Sequence, residues 1–104
     1  MRVKIQPAAL ADLQKGWRFY ERQQEGWGDY FQESLFVDID SLVTLGGVHR
    51  TFFGYHRLLS KKFPFAVYYR VEGGEAVTIW RVLDLRRHPR AIEKELSQGE
   101  DGPR

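Results

Sequence analysis

From Phe63 to Val71 the chain alternates. Phe63, Phe65, Val67, Tyr69 and Val71 are apolar, while Pro64, Ala66, Tyr68 and Arg70 hold the other register. A period of two marks a strand with one face buried. The turn Glu72-Gly73-Gly74-Glu75 follows. Paired glycines reach positive φ without steric cost, so a tight hairpin is expected there. The returning strand is expected over 76–84, where Val77, Ile79 and Leu83 share a register with Arg81. That arginine requires either a bulge that re-aims it or a reach past the edge of the core.

Upstream the period is helical. Met1 to Ile5 reads as a short first strand, and Pro7 suits the first turn of a helix, where its missing N–H is no loss. Leu10, Leu13, Trp17 and Tyr20 recur at three- and four-residue steps, which predicts an amphipathic helix ending near Gly26. Asp29 with Gln32 three residues on suggests a capping box for a second helix. Its stripe is Phe31, Leu35, Ile39 and Leu42, and Gly46-Gly47 ends it. So short a link makes the two helices an antiparallel hairpin.

After Val48 the pattern turns extended. His49 to Leu59 reads as a looser strand region interrupted by Gly54, and Pro89 opens a last helical turn or two with Ala91, Ile92 and Leu96. The polar tail 97–104 is expected to be disordered. The expected fold class is α+β, in the order β-α-α-β-β-β. A helical hairpin packs on one face of a small, mostly antiparallel sheet, with a short C-terminal helix. Residues 1–96 form a single domain, as the length of 104 residues allows.

Composition narrows the chemistry. With no cysteine, disulfides, thiolate metal sites and a cysteine nucleophile are excluded. No apolar stretch approaches the roughly 20 residues of a membrane helix, and no signal-peptide pattern follows the first strand. The cytoplasm is the expected compartment, with no membrane partner. The formal net charge of +2 conceals a division. Residues 6–47 hold three cations against seven acids, a balance of −4, and residues 48–90 hold nine against three, a balance of +6. The second half therefore suits an anionic partner, nucleic acid or an acidic protein segment.

Catalytic constellations are not evident. The paired glycines lack the strand-to-helix context of a phosphate loop. His49, His56 and His88 have no helical spacing of metal ligands, so no metal and no cofactor are expected. No serine stands in a nucleophile elbow. What remains is the open face of the sheet, expected to carry Ala66, Tyr68, Arg70, Thr78, Trp80 and Val82 with Arg57 and Arg86 to Arg90 along its border. Such a face suits protein contact with an arginine rim, or base stacking on aromatic rings. Alternatively the tail helix or a second copy of the chain, as in a homodimer, covers it.

Several segments together resemble a known family. They are Ala11-Asp12-Leu13, Trp17-x-x-Tyr20-Glu21, Glu25-Gly26-Trp27-Gly28-Asp29-Tyr30-Phe31, Arg57, Phe63-Pro64-Phe65 with Tyr68-Tyr69, and Val82-Leu83-Asp84-Leu85-Arg86-Arg87-His88-Pro89. In this order, over residues 3–92, the chain resembles the toxin superfamily named for ParE and RelE, and is most similar to its ParE-like plasmid stabilisation branch. The resemblance implies the toxin of a type II toxin–antitoxin system, neutralised by a small cognate antitoxin. ParE-like members are held to inhibit DNA gyrase; RelE-like members cleave mRNA on the ribosome without a metal.

For the inhibitor, the resemblance and the open face together suggest contacts through Arg57, Tyr68, Arg70, Trp80, Arg81, Arg86, Arg87 and Arg90. For the nuclease alternative, Arg57 and Arg86 match basic positions of the cleaving members. Ala66 stands where those members carry an arginine, and Ile92 where many carry a tyrosine. Losing such preorganised groups removes about 10²-fold or more each, so the resemblance favours binding over cleavage. Asp84 and His88 also exchange the histidine and aspartate usual in the ParE branch. A non-toxic interaction module of the same fold is the third expectation.

Overall fold

The computed structural model of the chain describes residues 1–100, the side chains of residues 99 and 100 excepted. Its elements are β1 (Arg2–Ile5), α1 (Pro7–Gln23), α2 (Trp27–Asp40), α3 (Leu42–Leu45), β2 (Thr51–Phe52), β3 (Tyr55–Leu59), β4 (Phe65–Glu72), β5 (Ala76–Asp84) and α4 (Pro89–Glu100). The five strands form one sheet in the order β1-β5-β4-β3-β2. β1 lies parallel to β5, and the other pairs are antiparallel. This is the expected α+β architecture, with the looser strand region resolved into β2 and β3 around Phe53 and Gly54, both at positive φ. The β4–β5 turn is also as expected. Gly73 and Gly74 have φ of 61° and 71°, and the Glu75 amide donates to the Glu72 carbonyl at 3.2 Å.

The helical hairpin is joined differently from the sequence expectation. Asp29 does not cap α2; it lies in the first turn and accepts a hydrogen bond from Trp17 Nε1 at 2.9 Å. Gly26 is the capping residue, at φ 90°, and Glu21 of α1 supplies the acceptor. Its Oε1 takes the amides of Gly26 at 3.1 Å and Gly28 at 3.0 Å. A carboxylate there satisfies orphan donors and opposes the positive end of the helix dipole. The expected second helix also breaks at Ser41, whose hydroxyl donates to the Asp38 carbonyl, so that α3 is a separate turn.

The hairpin buries Leu13, Phe31, Leu35 and Ile39 against Phe65, Val67, Tyr69, Val77 and Ile79. The Phe31 ring stacks on Tyr20 at 5.2 Å and meets Phe63 and Phe65 edge-on at 5.1 and 4.9 Å. Each such side chain contributes about 1.5–3 kcal/mol by leaving water.

The other face of the sheet is not open, contrary to expectation. α4 runs for 12 residues, beyond the expected one or two turns and into the segment expected as tail. Residues 101–104 lie outside the described residues. Ile92 and Leu96 of α4 pack on Tyr55, Ala66, Tyr68 and Leu83. β4 is therefore buried on both faces along most of its length. That makes three layers: hairpin, sheet, helix.

A bulge decides which residues face which layer. Tyr68 pairs with Arg81 and Tyr69 with Ile79, so Trp80 is the extra residue. Beyond it the phase of β5 reverses. Val82, expected on the open face, packs in the hairpin core, and Leu83, expected with Val77 and Ile79, packs under α4.

Candidate functional site

β1 ends at Ile5, paired with Ile79, so the far half of β5 has a free edge facing α1. Asp12, one turn into α1, reaches this edge. Its Oδ2 accepts from the Val82 amide at 2.9 Å and from Arg81 Nε at 2.7 Å, and its Oδ1 accepts from Arg81 Nη2 at 2.8 Å. Arg81 Nη1 donates to Glu95 Oε2 of α4 at 2.7 Å. One guanidinium thus ties both helical layers to the sheet edge. The hydrogen bond to Asp12, outweighing burial and reinforced by Glu95, raises the Arg81 pKa further, so its charge is permanent. Arg81 is both bulged and at an edge, the two alternatives its register allowed.

The basic run leaving β5 is paired in the same way. Arg86 Nη2 donates to Asp84 Oδ2 at 2.6 Å and Nε to Asp84 Oδ1 at 2.9 Å. Its guanidinium carbon lies 5.7 Å from the centroid of the Phe19 ring. Burial raises the Tyr20 phenol, with Arg86 beside it opposing the shift. Arg87 Nη2 donates to Glu95 Oε1 at 3.2 Å. Burial opposes ionisation of Asp84, yet Arg86 and Arg87 hold its carboxyl below the usual range; Glu95 is lowered first by Arg81 and then by Arg87.

Three arginines therefore face three carboxylates. The knot is close to neutral, with Arg86 its exposed member. Beside it, between α1 and β5, a groove of about 290 Å³ is lined by Lys15, Gly16, Phe19, Phe65, Val82 and Leu83 together with these ion pairs.

The remaining site residues lie elsewhere. Tyr68 is 1% exposed beneath α4, so it offers no contact surface. Its phenol is raised by burial, with the Arg57 guanidinium beside it working in the opposite direction. Arg57 stacks over Phe52, 3.6 Å from the ring centroid, and Arg50 stands 5.2 Å from the same ring. Arg70 covers Tyr55 at 4.2 Å and donates to the Gly54 carbonyl at 3.3 Å, with Trp80 at 5.8 Å. Arg90 is exposed at the start of α4.

Arg57 shares the α4 face with Tyr68, its register partner, whereas Arg86 contacts α1 on the hairpin face. The two arginines of the nuclease alternative are separated by the sheet.

One cluster has no counterpart in the sequence expectations. The Tyr69 hydroxyl accepts from the Gly47 amide at 3.0 Å and pairs with His49 Nδ1. His56 stacks on the same ring at 5.0 Å while its Nδ1 meets the His49 carbonyl at 2.6 Å. The register that sets His56 opposite Tyr69 was hidden in the looser strand region. Burial, then the neighbouring His56, lowers the His49 pKa.

Among the described residues, no helix is long and apolar enough to cross a membrane. No family model matches the sequence, and no curated protein matches it significantly. The structure is similar to a solved one described as the chromosomal ParDE TA system from P. aeruginosa. The TM-score is 0.73 at 19% identity, covering 82% of this chain and 96% of that one. At that identity the likeness shows the fold alone, which this chain shares with that component of the ParDE TA system.

Proposed function

We propose that this ParE-type fold serves as the toxin of a type II toxin–antitoxin pair of the plasmid stabilisation kind. It arrests growth in the cytoplasm by binding a protein target, DNA gyrase, and a small antitoxin neutralises it by covering the target-binding surface. The solved neighbour is a ParDE TA system, which supports the role.

The observation that favours binding over RNA cleavage is the separation of Arg57 from Arg86. A cleaving centre needs its cations around one scissile phosphate, within hydrogen-bond reach. Here one packs against Phe52 on the α4 face, and the other against Phe19 on the hairpin face. Ala66, fully buried below α4, offers no charge between them. Arg86, exposed and braced by Asp84, then presents a preorganised donor to the target, with Arg87 and the groove beside it.

Regulated expression tests this. Growth should stop, gyrase–DNA cleavage complexes should accumulate with purified components, and co-expression of the adjacent reading frame should restore growth. Arrest accompanied by cleaved mRNA and untouched gyrase would sink the proposal in favour of the nuclease.

A further inference from the structure

The β2–β3 hairpin places a phenylalanine where turn chemistry disfavours one. Phe52 pairs with Tyr55, so Phe53 and Gly54 form a two-residue turn, and both have positive φ, at 56° and 86°. That is the type I′ form, whose first central position favours asparagine, aspartate or glycine. A bulky residue held there is strained, and such strain persists where function uses it. The Phe53 side chain is 45% exposed and stacks on no other ring among the described residues.

Behind this apex lies a like-charge pair. The Arg57 amide donates to the Arg50 carbonyl at 3.0 Å, which sets the two arginines opposite each other across the ribbon. Both guanidiniums share the Phe52 ring, at 5.2 Å and 3.6 Å from its centroid. Like charges so placed repel, and among the described residues neither is ion-paired. Arg57 Nε is buried without a hydrogen-bond partner. Between Asp40 and Glu72 the chain has five lysines or arginines and no acid. Glu72, exposed at the end of β4, marks the limit of this basic stretch.

These features narrow the ligand. Two unpaired arginines behind one free ring suit an anion that carries planar groups, which is nucleic acid. A protein partner would need apolar neighbours around the aromatic anchor, and the ribbon behind Phe53 offers arginines and the rings they cover. A single strand needs several rings in succession, yet Phe52 lies under Arg57 and Tyr55 under Arg70. One uncovered ring at an apex acts instead as a wedge at one step of a duplex. We infer that the β2–β3 hairpin binds duplex DNA, with Arg50 and Arg57 on backbone phosphates and the Phe53 ring inserted at one base step. The inference goes beyond the proposed protein target and does not depend on it, because the protein alone suffices to test it.

The probe is a DNA duplex of about 20 base pairs, two helical turns, with 2-aminopurine at a central, flexible TA step. The protein should bind it less tightly as salt rises, and the 2-aminopurine fluorescence should increase as the wedge unstacks the base. Phe53→Asn gives the turn its favoured Asn-Gly pair. It should raise the thermal midpoint while abolishing the fluorescence increase and weakening binding by about ten-fold. Arg50→Gln and Arg57→Gln should each weaken binding and lower the salt slope by about one. Arg50 is exposed, so its variant keeps the test open should circular dichroism show that Arg57→Gln has lost its fold. Lys94→Gln on α4 should leave every reading unchanged. Undetectable duplex binding, a fluorescence increase that survives Phe53→Asn, or an equal loss from Lys94→Gln would overturn the inference. So would equal or tighter binding of a single strand, an RNA duplex or a poly-glutamate peptide, each of which would assign the hairpin a different partner.

Discussion

Asp12 holds Arg81 in a two-pronged ion pair while also accepting the Val82 amide, so one carboxylate caps a bulge and a sheet edge together. Both side chains are largely buried, at 11% and 16% exposure. Removing Asp12 leaves Arg81 with Glu95 alone and the Val82 amide without its acceptor, at a cost of about 3 kcal/mol. Asp12→Ala should therefore lower the thermal midpoint by roughly 10–20 °C for a domain of this size. Asp12→Asn, which keeps an acceptor for Val82, should lose less. A double-mutant cycle with Arg81→Met measures the pair by itself, and additive losses would show that no coupling exists.

Gly16 lets α1 approach α2. A Cβ there would lie 2.5 Å from two carbons of the Phe31 ring, which is fully buried among Tyr20, Phe63 and Phe65 and has no room to turn aside. Gly16→Ala gains helix propensity of about 1 kcal/mol. Overpacking costs about 1–3 kcal/mol, and the rigidity of the ring places the cost at the upper end. Net destabilisation of about 1–2 kcal/mol is expected in urea unfolding. Gly28→Ala should fare no better, because the clash there includes the Trp17 carbonyl at 2.8 Å.

Stability should fall with acidity in two windows. His49 has a lowered pKa in the folded protein, through burial and then His56. The unfolded chain therefore takes up its proton first, and stability declines as pH falls below about 6.5. Asp84 and Glu95 are lowered by their arginines, so their contribution is present above the unfolded carboxylate pKa, and is lost as pH falls through their folded values, below about 4. Chemical unfolding across pH 3–8 resolves the windows. His49→Gln, which removes the titrating group, should flatten the upper one and leave the lower intact.

Local pattern carried much of this fold into view. Alternation in β4, the glycine pair of the turn, the three- and four-step stripes of α1 and α2, and Pro89 at a helix start all act within a few residues. The bulge at Trp80 did not show, because Val82 and Leu83 are both apolar and suit either phase. Nor did the covering of the second face, since α4 announces itself only through Ile92 and Leu96. The site misled for a related reason. Arg81, Arg86 and Arg87 were expected together as target contacts, yet Asp12 lies 69 residues from Arg81 in the chain, and Glu95 belongs to a helix expected to be shorter. Charge pairing across a fold leaves no local signature. The His49–Tyr69–His56 cluster was missed likewise, because strand register alone brings it together.

Leu96 tests whether α4 belongs to the fold or merely rests on it. Its side chain is 1% exposed against Tyr55 and Ile92, and its carbonyl stands 3.4 Å from the Tyr55 hydroxyl. If α4 folds with the sheet, Leu96→Ala should cost about 2–4 kcal/mol by lost transfer and cavity terms. Unfolding should stay two-state, with unchanged slope against denaturant. If α4 opens independently, the same substitution leaves the main transition in place. Amides of α4 then exchange faster, and Tyr68 and Trp80 become accessible to an added quencher. Ion pairing of Glu95 to Arg81 and Arg87 anchors the middle of the helix to β5 and the segment beyond it, which favours the first outcome. Glu95→Gln should move Leu96→Ala toward the second, and hydrogen exchange over residues 89–98 is the measurement that separates them.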